Sequence, residues 1–354
     1  MSEFDQYLEQ LKSPKASTRA NAALKLGRLG NLAAIRWLED SLGDSNSMVR
    51  CSAANALGKL NDPRALTLLV SALKDPDDQV YGHVVTALHK IRNNQAISVL
   101  VNEVHRQEDR RRSIATNNLI KIGHFAVPAL IEGFNNSSGI IRAYFLKALG
   151  KIGDLRALEI FREAITDDND DVVWVATAIQ RSIRDPRAIP ELIALLEHEN
   201  PLRQIQAANT LSTVGDNRAI EPLKKIASDN NRQENTRCQA ILALGNIGRA
   251  EAVNTLLCLL EEQNSHVQIS AVMGLSYTGD VRAVVPLVDL ATKYPQDIQY
   301  HKPIKNLATT GNQSTLTKLE DILHQKVAID LRVKQTIRET VTQLSERLNH
   351  QCSN

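Results

Sequence analysis

Apolar residues recur along this chain in short blocks at i, i+3 and i+4, as at Ile189, Leu192, Ile193 and Leu196. That spacing predicts amphipathic helices with one buried face. A second kind of block alternates with the first: Val49-Arg50, then Ala53-Ala54, Ala56-Leu57-Gly58. Taking Val49, Ala53 and Leu57 as inward-facing, its alanines let a neighbouring helix approach closely, and its free face lies near Ser52, Asn55 and Lys59. Acidic or Asn-bearing turns precede these blocks, such as Asp75-Pro76-Asp77-Asp78 and Asp167-Asp168-Asn169-Asp170. Their side chains are expected to accept from the free N–H groups of a new helix. A Gly, followed by Asn or Asp, ends the second block. Each pair of blocks therefore reads as a helical hairpin, with an A helix followed by a B helix.

The hairpin repeats. The residue just before the loop Asp or Asn gives a column of Gly30, Asn61, Arg92, Gly123, Gly153, Arg184, Gly215, Gly248, Gly279 and Gly311, with steps of 30 to 33 residues. Chance does not hold register over ten units, so the fold class is all-α, a right-handed α-solenoid of about eleven helical hairpins. The expected organisation is a continuous solenoid over 1–326 and a divergent capping helix and tail over 327–354. The last hairpin, 312–349, is polar, as the end of a stack in water requires.

Three segments carry a family resemblance: Val-Arg at the head of the B helix, Ala148–Asp154 (Ala-Leu-Gly-Lys-Ile-Gly-Asp), and Arg187–Leu192 (Arg-Ala-Ile-Pro-Glu-Leu). They resemble HEAT repeats of the short phycobilisome-lyase type related to the E/F bilin lyases, over nearly the whole chain. The resemblance implies that the B helices line a concave face. The family includes cyanobacterial bilin lyases and isomerases, chaperones, phycobilisome-degradation factors and scaffolds, so fold alone does not choose among functions.

Charge narrows the field. The chain has 42 Lys and Arg against 40 Asp and Glu, a net charge of +2, so there is no global field to gather nucleic acid. No apolar run is long enough to span a bilayer, and Met1–Asp5 does not read as the start of a signal peptide, so a cytoplasmic protein without membrane insertion is expected. The four cysteines (Cys51, Cys238, Cys258, Cys352) form no CxxC pair. The scattered histidines have no ligand spacing, and no phosphate loop or hydrolase motif is present, so neither catalytic residues nor a metal site are assigned.

Local patches carry the candidate chemistry. The column equivalent to Lys59 reads Arg28, Lys59, Lys90, Lys121 and Lys151, then turns neutral at Ser182, Thr213, Asn246, Tyr277 and Thr309. Lining one half of the expected concave face, this basic ladder suits an acidic protein surface or the propionates of a tetrapyrrole. The Arg50 column holds Arg19, Arg50, Arg112, Arg142 and Arg237, expected to hydrogen-bond acidic turns such as that of Asp44, with Tyr81 and Val173 among its exceptions. Repeat six diverges most, with Gln180 where Leu57 stands and Arg181 where Gly58 stands. Tyr81, His83, Tyr144 and Trp174 are expected to form an aromatic stripe along the groove.

Two functions stay open. One is a non-catalytic scaffold, adaptor or chaperone, without cofactor, that grips an acidic partner such as a phycobiliprotein subunit. The other is a phycobilin lyase or lyase-isomerase that handles a bilin. The lyase group carries a Trp-Trp segment, whereas Trp37 and Trp174 here are isolated, which ranks the scaffold first.

Overall fold

A computed structural model describes residues 1–105, 109–325 and 329–352. Among them are 22 α-helices in eleven successive hairpins, from Glu3–Gln10 with Ala16–Leu29 to Gln313–His324 with Leu331–Cys352. The chain is an α-solenoid. Several A helices open through a 3-10 turn, as at Leu32–Ala34 and Leu155–Ala157. The contacts divide it into two units, Met1–Glu163 and Ala164–Asn354. The boundary expected between 326 and 327 lies outside the described residues.

The helix ends follow from local chemistry. Asn46, Asp77, Asn169, Asn200 and Asn264 cap B helices by accepting from backbone N–H groups of the first turn. Asp62, Asp154, Asp185, Asp216 and Asp280 do the same for A helices. The column that sets the repeat register is the left-handed residue ending each B helix. Nine of its ten members have positive φ, including Asn61 at 50°, Arg92 at 52° and Arg184 at 56°. Gly311 alone departs, with φ −65°. Glycine dominates the column because a Cβ is strained in that region.

Within each unit, neighbouring B helices pack almost backbone to backbone. In the first unit a Cβ on Gly27 would lie 2.5 Å from Ala56 Cα, and one on Gly58 would lie 2.6 Å from Ala87 Cβ. In the second, a Cβ on Gly245 would lie 2.4 Å from both Cα and O of Gly274. Val49, Ala53 and Leu57 are buried, as are Ile189, Leu192 and Leu196.

Arginine staples tie the repeats together at both ends of the hairpins. At the A–B turns, Arg19 donates through Nε and Nη2 to Asp44 at 2.7 and 2.8 Å and through Nη1 to Ser13 O. Arg50 repeats this one hairpin later, to Asp75 at 2.7 and 3.1 Å and to Asp44 O at 2.9 Å. The Arg19 guanidinium holds the Asp44 carboxyl below its ordinary range. At the opposite end, Arg156, Arg218 and Arg282 each clasp the Asp two residues before them and reach back to a carbonyl of the preceding repeat: His124 O, Pro186 O and Ala250 O.

At two places where the Arg50 column fails, the next repeat repairs it. Tyr81 and Val173 stand in that column and cannot serve their own turns. Arg111 and Arg203, both 6% exposed, stand one hairpin later in the mostly apolar column that holds Val49, Val80, Ile141, Val172 and Val267. Arg111 donates back to Asp75 O at 2.8 Å and to Asp78 at 3.1 Å. Arg203 donates to Asp167 O, Asp168 O and Asp170 at 2.8, 2.7 and 2.6 Å. The carbonyls of these two turns thus receive a guanidinium from the next repeat, whereas at Gln204 and Gln268 a side-chain amide of the same repeat donates instead, to His198 O and Leu260 O.

Gln180 is 1% exposed and occupies the core position of Leu57. Its side-chain oxygen accepts from Asp185 N at 3.4 Å, a long contact that leaves the amide poorly compensated for burial. We expect Gln180→Leu to stabilise the second unit by about 1 kcal/mol. Urea denaturation followed by Trp174 fluorescence reads this, and a loss of stability would show that the amide is well bonded.

Candidate protein-binding surface

Each of the first five B helices ends on the same arrangement. Arg28, Lys59, Lys90, Lys121 and Lys151 are the penultimate residues of Ala16–Leu29, Ser47–Leu60, Asp78–Ile91, Asp109–Ile122 and Ile140–Ile152. All five are exposed, all belong to the first unit, and none pairs with a carboxylate among the described residues. Cations are favoured there by the partial negative charge of a helix C-terminus, which accounts for one such residue per helix at little cost. Beyond its first turn, none of these five helices contains Asp or Glu, and Lys25 and Lys147 add to the positive charge. The first unit carries 22 Lys and Arg against 17 Asp and Glu over residues 1–163. The second carries 20 against 23 over residues 164–354. Its B helices Pro201–Val214, Glu234–Ile247 and Ser265–Thr278 hold no acidic or basic residue beyond the first turn.

Helix Ser47–Leu60 shows which face is free. Met48 is 58% exposed, Cys51 and Asn55 are half-buried, and Lys59 is exposed. Ser52 is buried, so the free face runs one residue earlier than expected at that turn, through Cys51. The Cys51 and Cys238 thiols are pushed up by burial, which disfavours the thiolate a nucleophile needs.

The four aromatic-stripe residues have separate surroundings. Tyr81 is fully buried: its hydroxyl donates to Glu103 Oε2 at 2.8 Å and the Arg111 guanidinium lies 4.6 Å from its ring centroid. It belongs to the core, not to a surface stripe, because the Arg111 staple covers the ring. His83 is exposed, with Asn55 Nδ2 at 3.0 Å from its Nδ1. Tyr144 is half-buried under Arg112, 5.2 Å from its centroid. Trp174, 58% exposed, belongs to the second unit.

An open cleft of about 670 Å³ lies between the A helices Ile35–Leu42 and Pro63–Ala72, lined by Ile35, Arg36, Glu39, Arg64 and Leu68. Among the described residues no group of three His, Cys, Asp or Glu is placed to hold a metal ion, and no helix is long and apolar enough to cross a membrane.

Comparison with known proteins agrees with this architecture. No curated protein matches the sequence. Among solved structures, Kap121p superposes with a TM-score of 0.65 at 12% identity, over 98% of this chain and 45% of that one. Kap121p bound to Pho4p gives 0.64 at 13% identity over 97% and 45%. Kap121p bound to Nup53p gives 0.61 at 12% over 97% and 45%. This chain therefore spans less than half the length of those proteins, and at such identity the likeness is one of fold. Residues 141–167 match the PBS lyase HEAT-like repeat, which relates this chain to the phycobilisome-lyase type of repeat. HEAT repeats match residues 4–81, 173–235 and 230–300, more than half of the sequence, and the chain belongs to the HEAT-repeat family.

Proposed function

We propose that this protein is a non-catalytic binding scaffold whose first unit receives an acidic surface of a partner protein along Arg28, Lys59, Lys90, Lys121 and Lys151. The observation that carries the reading is positive charge set down at every repeat without counter-charge: five exposed cations at five successive helix ends, on helices with no acid beyond the first turn. Packed helices lie ~8–10 Å apart, so the cations act as one field rather than five contacts. A single exposed ion pair is worth ~0–1 kcal/mol, whereas the summed field raises the rate of encounter. Two likenesses support a protein partner. The Kap121p fold was solved with the proteins Pho4p and Nup53p. The PBS lyase HEAT-like repeat at residues 141–167 makes a phycobiliprotein subunit the partner to try first.

The test is binding kinetics on an immobilised phycobiliprotein subunit. Reversing Lys90 and Lys121 to Glu is expected to lower the association rate about tenfold while dissociation changes much less. Added salt should reproduce the effect in the unaltered protein. Reversal of Lys302 and Arg338, exposed cations of the second unit, is the control. Lys305 is unsuited because it pairs with Glu339 at 3.0 Å. Equal losses from both reversals, or none from either, would place the contact elsewhere. Co-expression with a bilin and the same subunit separates the lyase reading: a covalent adduct, seen as zinc-enhanced fluorescence of the denatured subunit, would overturn the non-catalytic assignment.

A further inference from the structure

Two large apolar side chains of the first unit stand almost fully in water. Phe125 is 74% exposed and Leu155 is 77% exposed. Each lies in the 3-10 turn that opens an A helix, Gly123–Ala126 and Leu155–Ala157. The equivalent position carries Pro63, Asn94, Pro186 and Asn217 in four other repeats, residues that make turns without displaying a large apolar surface; Leu32 and Val281 are apolar there too, but Leu32 is only 43% exposed. Nothing in the hairpin fold requires Phe or Leu there.

The two turns are fixed to each other. His124 Nδ1 lies 2.8 Å from Asp154 Oδ2. Arg156 donates from Nε and Nη2 to Asp154 at 3.0 and 2.7 Å and from Nη2 to His124 O at 2.8 Å. Arg156, through its side chain and its backbone N–H, and then His124 hold the Asp154 carboxyl well below the usual carboxylate range, so the clasp stays charged at neutral pH. Phe125 follows His124 and Leu155 follows Asp154, so the clasp sets both apolar side chains on pinned backbone. Lys121 and Lys151 stand four residues before them, at the ends of the helices that lead into these turns. Cation and apolar group therefore recur in the same order in two adjacent repeats.

We propose that Phe125 and Leu155, with Lys121 and Lys151, form a docking patch for an acidic segment of a partner protein that carries bulky apolar side chains among its carboxylates. The proposal rests on the ladder reading and adds to it what the ladder cannot supply. Charge at a rim speeds encounter, whereas a desolvated apolar anchor slows departure. Pinned backbone lowers the ordering cost of binding, which favours such an anchor over the same residues on a loose loop.

Fluorescence anisotropy with three labelled probes tests this: an acidic peptide with two Leu among its Asp and Glu residues, the same peptide with Ser for Leu, and a single-stranded oligonucleotide of equal charge. The unaltered protein is expected to bind the Leu peptide about tenfold more tightly than the Ser peptide. In Phe125→Ser/Leu155→Ser that preference should vanish while binding of the Ser peptide and its salt dependence persist. Both side chains are exposed, so the melting temperature should not move. In Lys121→Glu/Lys151→Glu both peptides should weaken and the Leu preference remain. An absent preference in the unaltered protein, or one that survives Phe125→Ser/Leu155→Ser, overturns the patch. Failure of the ladder reads separately, as charge reversal without effect on either peptide. Tighter binding of the oligonucleotide than of the Leu peptide, or sedimentation showing a dimer that Phe125→Ser/Leu155→Ser dissolves, would assign the patch to nucleic acid or to a second copy of the chain and so overturn the proposal.

Discussion

Gly245→Ala is expected to destabilise the second unit by about 3 kcal/mol, against the usual preference for Ala over Gly in a helix. In an open helix the same change stabilises by about 0.5–1 kcal/mol, because Ala loses less backbone freedom on folding. The geometry reverses the sign. A methyl group on Gly245 would meet Gly274 at Cα and O, both at 2.4 Å, and at the carbonyl carbon at 2.7 Å. All three are backbone atoms, so no side chain can swing aside, and Glu234–Ile247 and Ser265–Thr278 must part. Separation also uncovers the apolar surface around Ile241, Leu244 and Leu275, now fully buried. Gly82→Ala is the matched control: Gly82 lies within Asp78–Ile91, and a Cβ there meets nothing within 4 Å. Urea denaturation of the two variants should shift the midpoint in opposite directions. Solenoid units need not unfold together, so Trp37 and Trp174, one in each unit, serve as separate reporters. Two stabilising substitutions would mean that the helices lie farther apart than described.

Arg203→Val should cost the second unit about 2–3 kcal/mol, far more than Arg218→Val. Arg203 is 6% exposed and supplies donors to two turn carbonyls and the Asp170 carboxylate. Removing it strips those carbonyls of the donor it provides, in a place where water has limited access. Arg218 has a side chain 54% exposed and pairs with the neighbouring Asp216, so its loss should cost under about 1 kcal/mol. A second substitution distinguishes a lost staple from a damaged core. Val173→Arg in the Arg203→Val background restores the order found at Arg50, whose guanidinium reaches Asp44 O and Ser45 O, six and five residues earlier. From position 173 the same offsets point to Asp167 O and Asp168 O. Stability should recover in part, with a favourable coupling between the two sites measured by a double-mutant cycle. Additive losses would show that Arg203 acts through packing alone.

The hairpin register could be read from the chain because its marker has a single physical demand. Gly30, Asn61 and Gly215 recur where a left-handed residue must end a helix, and only a few residue types meet that need. The Arg19–Asp44 pair was legible for a similar reason: a regular Arg column beside a regular acidic turn. Arg111 and Arg203 are not legible as staples because a charged residue in a mostly uncharged column of Val, Ile and Thr looks like drift. The signal was present one repeat earlier, where Tyr81 and Val173 interrupt the Arg column. Tyr81 lies in the core and not on the surface because the arginines of its column send guanidinium heads out to the turns, whereas a phenol ring there is shorter and sinks inward, as Tyr300 does too. The basic ladder was legible in position and exposure. Phe125 and Leu155 were not singled out, because loop positions follow no helical period and exposure there is a matter of three-dimensional setting.

The first two turn staples span equal lengths of chain: Arg19 to Asp44 and Arg50 to Asp75 are each 25 residues apart. The close contacts keep step, Gly27 on Ala56 and Gly58 on Ala87. Excising residues 31–61 would therefore bring Arg19 to Asp75 and Gly27 to Ala87 with every offset unchanged. The staples and close contacts of these first repeats are indifferent to how many such units are stacked. Length can be gained or lost by whole-unit duplication and deletion of the gene segment, without inventing a new contact, while the side chains facing outward diverge unit by unit.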